Sequence, residues 1–108
     1  MAEVNFTPSA QNDAKDIYQY YDLYSHQAAE KLMEEIFAAL RRLEQFPELG
    51  PKEPTLEQLG RNYRYVLVLR RYKLIYLLEN DVCSILMIWD CKAAPCGFAT
   101  SVTKSVAP

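Results

Sequence analysis

The chain is predicted to be an α+β protein: an N-terminal strand and an α-helical hairpin packed on a curved antiparallel sheet, in the order β-α-α-β-β-β. Three observations carry this expectation. Residues 61–92 read RNYRYVLVLRRYKLIYLLENDVCSILMIWDCK, three runs in which β-branched and aromatic residues recur with a period of two. Residues 25–46 repeat their apolar positions every three to four residues, the spacing of an amphipathic helix. The whole chain has 108 residues, enough for one core and too few for two.

Each element follows from local chemistry. Ala2 to Thr7 reads as a short strand with Val4 and Phe6 on one face. Thr7-Pro8 is a helix entry, because a hydroxyl can cap the first free amides and proline suits the first helical position. The helix runs to Tyr24, with Ala10, Ala14, Ile17, Tyr21 and Tyr24 on one stripe. Ser25 caps the second helix, whose stripe is Ala29, Leu32, Met33, Ile36, Phe37, Leu40 and Leu43. Phe46-Pro47 ends it, and Gly50-Pro51 confirms the stop. Residues 47–62 form a proline- and glycine-bearing connection long enough to suggest a structured or functional loop. Arg70-Arg71 marks a hairpin tip projecting into solvent, and strand alternation puts Arg71 and Lys73 on one side. Asn80-Asp81 is a second hairpin turn, since both residue types tolerate a left-handed backbone. Residues 1–98 make the domain, and 99–108 a tail without periodicity.

Composition narrows the class. Half the residues are hydrophobic and 24% are charged, the usage of an ordinary globular protein. No apolar run approaches the roughly 18 residues of a membrane span. The N-terminus MAEVNFTPSA lacks the basic start of a secretory signal, so a cytoplasmic protein is expected. Cys83, Cys91 and Cys96 are an odd number without CxxC spacing, and the one histidine, His26, is remote from them in sequence. Reduced thiols fit better than a zinc site or a disulfide framework, and no metal or cofactor is expected. His26 reads as an exposed first-turn residue, Trp89 as a core anchor and Asp90 as a structural strand end. Charge is uneven: residues 1–60 hold five Lys/Arg against eleven Asp/Glu, and residues 61–108 hold seven against three. A locally basic surface on an acidic protein of pI 5.4 is therefore possible.

At these residues the chain resembles a known family. The Leu-x-x-Phe-Pro-x-x-Gly segment from Leu43 to Gly50 is followed by basic Arg64 near a strand start. Next come the strand Tyr72-Lys73-Leu74-Ile75-Tyr76 and the close Ile88-Trp89-Asp90-Cys91-Lys92. In this order they are similar to the RelE/ParE toxin superfamily over about residues 2–98, and closer to its ParE-type, plasmid-stabilisation branch. The resemblance implies a bacterial toxin neutralised by a cognate antitoxin. One branch cleaves mRNA in the ribosome, and the other inhibits DNA gyrase without a recognised nuclease site. Carried over by position, the nuclease cations fall on Arg64, Lys73 and Lys92. A further cation falls on Val66 and the tyrosine on Phe98, neither of which has the required group. Lysine also lacks the two-pronged fork of arginine. The reading is thus a gyrase-type toxin. A ribosome-dependent endoribonuclease using Arg64, Lys73 and Lys92 is one alternative, and a non-toxic interaction module of the same fold is the other. Expected partner contacts are Tyr20, Tyr24, Arg64, Arg70, Arg71, Lys73, Lys92 and Phe98. Tyr18, Tyr20, Tyr21 and Tyr24 point in too many directions around one helix to be buried together.

Overall fold

The computed structural model describes residues 2–91. Lys92, Cys96, Phe98 and the 99–108 tail lie outside the described residues. The elements are β1 (Glu3–Phe6), α1 (Pro8–Asp22), α2 (His26–Gln45), a 3-10 turn (Pro54–Leu59), β2 (Tyr63–Val68), β3 (Tyr72–Glu79) and β4 (Val82–Asp90).

The helices begin where their caps predict. The Thr7 hydroxyl accepts from the Ala10 amide and the Ser25 hydroxyl from the Ala28 amide, each satisfying a free first-turn donor. Ala10 and Ala14 are the buried residues of α1, and their small side chains let it lie close to β4. That closeness allows the Asp13 carboxylate to accept the Ile88 amide at 3.0 Å. From α2, Leu32, Ile36, Ala39 and Leu43 are fully buried against Leu74, Tyr76, Ile85 and Ile88 of the sheet. Burying each aliphatic side chain contributes roughly 2 kcal/mol.

The strand order is β1-β4-β3-β2, and the α+β order is as expected. The sheet differs from a purely antiparallel one in one respect, for β1 joins β4 in parallel. Long-range bonds fix that direction: the Ala2 amide donates to the Glu44 carbonyl, and the Thr7 amide and hydroxyl donate to the Ile85 carbonyl. The meander itself is antiparallel. Its register shifts once, pairing Ile75 with Met87 but Tyr76 with Ile85, so Leu86 is an extra residue that bulges out of β4. The bulge lets Ile85 and Ile88 both face the helices.

The other sheet face has its own smaller core of Tyr63, Ile75, Leu77 and Met87, covered by Leu56 of the 3-10 turn. Trp89 and Tyr65 are partly buried beside it, so Trp89 packs as an anchor on this second face rather than beneath the helices. The covering segment is tied down at several points. The Tyr76 hydroxyl donates to the Pro47 carbonyl at 2.8 Å and accepts the Gly50 amide at 3.1 Å. Gly50 is required there, because a Cβ would sit 1.9 Å from the Tyr65 carbonyl oxygen. Gly60 closes the 3-10 turn at φ 74°, a conformation suited to glycine.

Candidate functional site: the cations of the meander

The candidate residues among those described fall into three separate places. The first is the face covered by the 3-10 turn, reached by the Lys73 side chain from β3. Its ammonium lies 2.8 Å from the Glu53 carboxylate and 4.3 Å from the centroid of the Tyr65 ring. Glu53 is only 1% exposed, the one buried charged residue of the described core. Its second oxygen accepts the Thr55 hydroxyl at 2.6 Å and the Thr55 amide at 3.1 Å, capping the 3-10 turn. Burial alone would raise this carboxyl. The Lys73 and Thr55 hydrogen bonds outweigh it and hold Glu53 below its ordinary 4.5. Lys73 is thus a paired cation under a loop, with a carboxylate where a phosphate would have to enter.

The second place is the edge of β2. Arg64 donates to the Gly50 carbonyl at 2.8 Å and to the Asn62 side-chain oxygen at 3.1 Å, so its guanidinium staples the loop to the strand. Val66, two residues on, is buried in the helix-side core.

The third place joins the hairpin tip to α1. Arg71 does not project as a free tip residue. It folds back and grips Asp90 with both prongs, at 3.0 and 2.8 Å, while lying 5.3 Å from the Tyr72 ring centroid. Asp90 is therefore more than a strand end, since its carboxylate orients the Arg71 guanidinium. Arg71 and Asp90 line a recess with Tyr20 and Asp16, on the opposite side of the sheet from Lys73. The expected alternation does not reach Arg71, because β3 begins at Tyr72 and Arg71 belongs to the turn ahead of the paired strand. Arg70 alone of the tip arginines is exposed. Tyr20 and Tyr24 are 55% and 77% exposed, with ring centroids 5.4 Å apart, an aromatic pair open to solvent as expected. Tyr21 instead receives a hydrogen bond from Tyr72 at 3.0 Å.

The remaining titratable groups offer little chemistry. His26 is exposed and pairs with Asp22 at 2.7 Å, which raises its basicity. Cys83 is a buried free thiol pushed up by burial, and Cys91 is free and partly buried. No group of three His, Cys, Asp or Glu among the described residues could hold a metal ion. No described helix is long and apolar enough to cross a membrane. A cleft of about 660 Å³ lies beside the 3-10 turn, lined by Lys52, Glu53, Leu56, Arg61 and Tyr63. Sequence reasoning flagged the cations and missed Glu53. The one local hint was Glu53-Pro54-Thr55, an acidic residue before proline at a helix-start position.

Comparison with known proteins adds the identity of the fold. A solved chain described as the chromosomal ParDE TA system from P. aeruginosa superposes with a TM-score of 0.65 at 20% identity, covering 83% of this chain and 96% of that one. At that identity the likeness speaks for the fold. No curated protein matches in sequence. The family described as "ParE toxin of type II toxin-antitoxin system, parDE" matches residues 4–95. With that match spanning most of its length, and with the strand, helical hairpin and meander in the expected order, the chain belongs to the ParE toxin family of type II toxin–antitoxin systems.

Proposed function

We propose that this chain is a cytoplasmic toxin, neutralised by a cognate antitoxin, that arrests growth by inhibiting DNA gyrase rather than by cutting mRNA. The observation that carries the choice is the pairing of Lys73 with the buried carboxylate of Glu53. RNA cleavage needs several cations turned toward the scissile phosphate, to stabilise its developing charge and to move protons. Here Lys73 faces a carboxylate, Arg64 holds loop carbonyls, and Val66 is in the core. The acidic balance of the chain supports the same choice, since RNA binding draws most of its affinity from phosphate neutralisation. Tyr20, Tyr24, Arg70, Lys92 and Phe98 remain the proposed partner contacts.

The test is induction of the protein alone, with transcript 5′ ends mapped early and purified protein assayed for gyrase supercoiling. Growth arrest and loss of supercoiling without new cuts are expected. New cuts inside translated codons that disappear in Lys73→Gln would overturn the reading, and unaffected growth would leave an interaction module.

A further inference from the structure

The helix α2 turns one stripe into the core, where Leu32, Ile36, Leu40 and Leu43 are buried. A second stripe, Glu30, Met33, Glu34, Phe37 and Arg41, lies roughly 100° around the helix from the first, at the same three-to-four-residue spacing. It lines a shallow groove of about 320 Å³. Phe37 is 44% exposed, although its spacing predicts the core stripe. Its ring packs edge to face on Phe6 at the end of β1, with centroids 6.5 Å apart, and much of its surface stays open. Met33 beside it is partly buried. The centre of this face is therefore apolar and uncovered.

The charges of the stripe are sorted by end. Glu30 and Glu34 lie N-terminal to Phe37, and Arg41 lies C-terminal to it. Glu30 is already engaged, accepting the Tyr18 hydroxyl at 3.0 Å and lying 3.4 Å from His26. Glu34 and Arg41 are exposed and have no ion-pair partner among the described residues. Two helical turns, about 10 Å, separate them, too far for a pair within one helix. Arg42 belongs to another face, where it lines a recess with Leu67 of β2.

We propose that this face of α2 is a two-fold interface with a second copy of the same chain. An antiparallel copy of α2 centred at Phe37 sets each Glu34 opposite the other's Arg41 and brings the two Phe37 rings together. Two-fold pairing demands a self-complementary patch. This stripe supplies one: an acid and a base equally spaced about an apolar centre, each unpaired within its own chain. The proposal goes beyond the toxin reading and does not depend on it.

Sedimentation equilibrium of the purified full chain, with no other protein present, reads the association directly. A dimer dissociating on the order of 10 µM is expected, in keeping with a small interface. Phe37→Asp sets two carboxylates at the centre and should weaken the dimer at least about a hundredfold. Glu34→Arg and Arg41→Glu each turn both symmetric pairs into repulsions, and each alone should weaken it about tenfold. Mixed in equal amounts, those two variants meet with opposite charges at both pairs and should associate as tightly as wild type. A chain that stays monomeric at about 1 mM overturns the interface. A dimer unchanged by Phe37→Asp is built elsewhere on the chain and overturns it too. Single variants that dissociate and do not recover on mixing overturn the pairing of Glu34 with Arg41. Recovery on mixing requires both variants to be folded, so misfolding cannot imitate the expected result.

Discussion

The two hairpins of the meander share a backbone and differ in how they keep it. At the β3–β4 turn, Asn80 and Asp81 adopt φ 54° and 61°. Both residue types hydrogen-bond locally and tolerate that region, so the turn follows from its own sequence. At the β2–β3 tip, Leu69 and Arg70 adopt φ 55° each, with no such excuse in their side chains. That end is held from outside, by Arg71 on Asp90, by the Cys91 amide donating to the Arg71 carbonyl, and by Lys73 on Glu53. One turn is written locally; the other is imposed by tertiary contacts. The imposed one carries the exposed Leu69 and Arg70 and borders the open strand edge.

The largest expected effect comes from cutting the deepest of these ties. Glu53→Ala leaves the Lys73 charge partly buried without its carboxylate. Removing one partner of a buried pair costs about 3–5 kcal/mol, and the 22% exposure of the Lys73 side chain lowers this to about 2–3 kcal/mol. Urea unfolding measures it. The folded carboxyl lies below its ordinary 4.5, so its contribution is whole above that value and fades as pH falls through the lower folded one. Wild type should therefore lose more stability than Glu53→Gln between about pH 5 and pH 3. Equal slopes would mean that the pair does not stabilise the loop.

Exchanging the turn residues tests the comparison directly. Asn80→Leu with Asp81→Arg forces two unsuited residues into a turn with no outside support, and should cost about 2 kcal/mol. Leu69→Asn with Arg70→Gly relieves the strained tip and should gain about 1 kcal/mol. If both exchanges moved the thermal midpoint in the same direction, the two turns would not differ as described.

The same contrast explains what could be read ahead of the structure. Caps at Thr7 and Ser25, the apolar stripe of α2 and the Asn80-Asp81 turn are local signals, and each appears where expected except that Phe37 of the stripe is exposed. The parallel pairing of β1 is not local, since its partners Asp81 and Ile85 lie nearly eighty residues away. The Leu86 bulge has no composition signature, and period-two reading of β4 misses the change of face. The cations were legible as charges but not as pairs. Glu53 and Lys73 are twenty positions apart, and Arg71 and Asp90 nineteen, so their meeting depends on the completed sheet.

The smallest expected effect separates charge pairs that look alike. Arg61 grips Glu79 with two prongs at 3.0 and 2.6 Å, much as Arg71 grips Asp90. Arg61 and Glu79 side chains are 44% and 42% exposed, against 33% and 24% for Arg71 and Asp90. Water and salt screen the first pair, and ordering two long side chains offsets most of the attraction. Arg61→Gln should leave the thermal midpoint unchanged within error at any ionic strength. Arg71→Gln should cost about 1 kcal/mol, because its partner is less hydrated and its loss releases the strained tip. Thermal melts at low and high salt decide between them. Equal losses would mean that fork geometry, rather than shelter from solvent, sets the strength of these pairs, and the tip would then owe its shape to something other than Arg71.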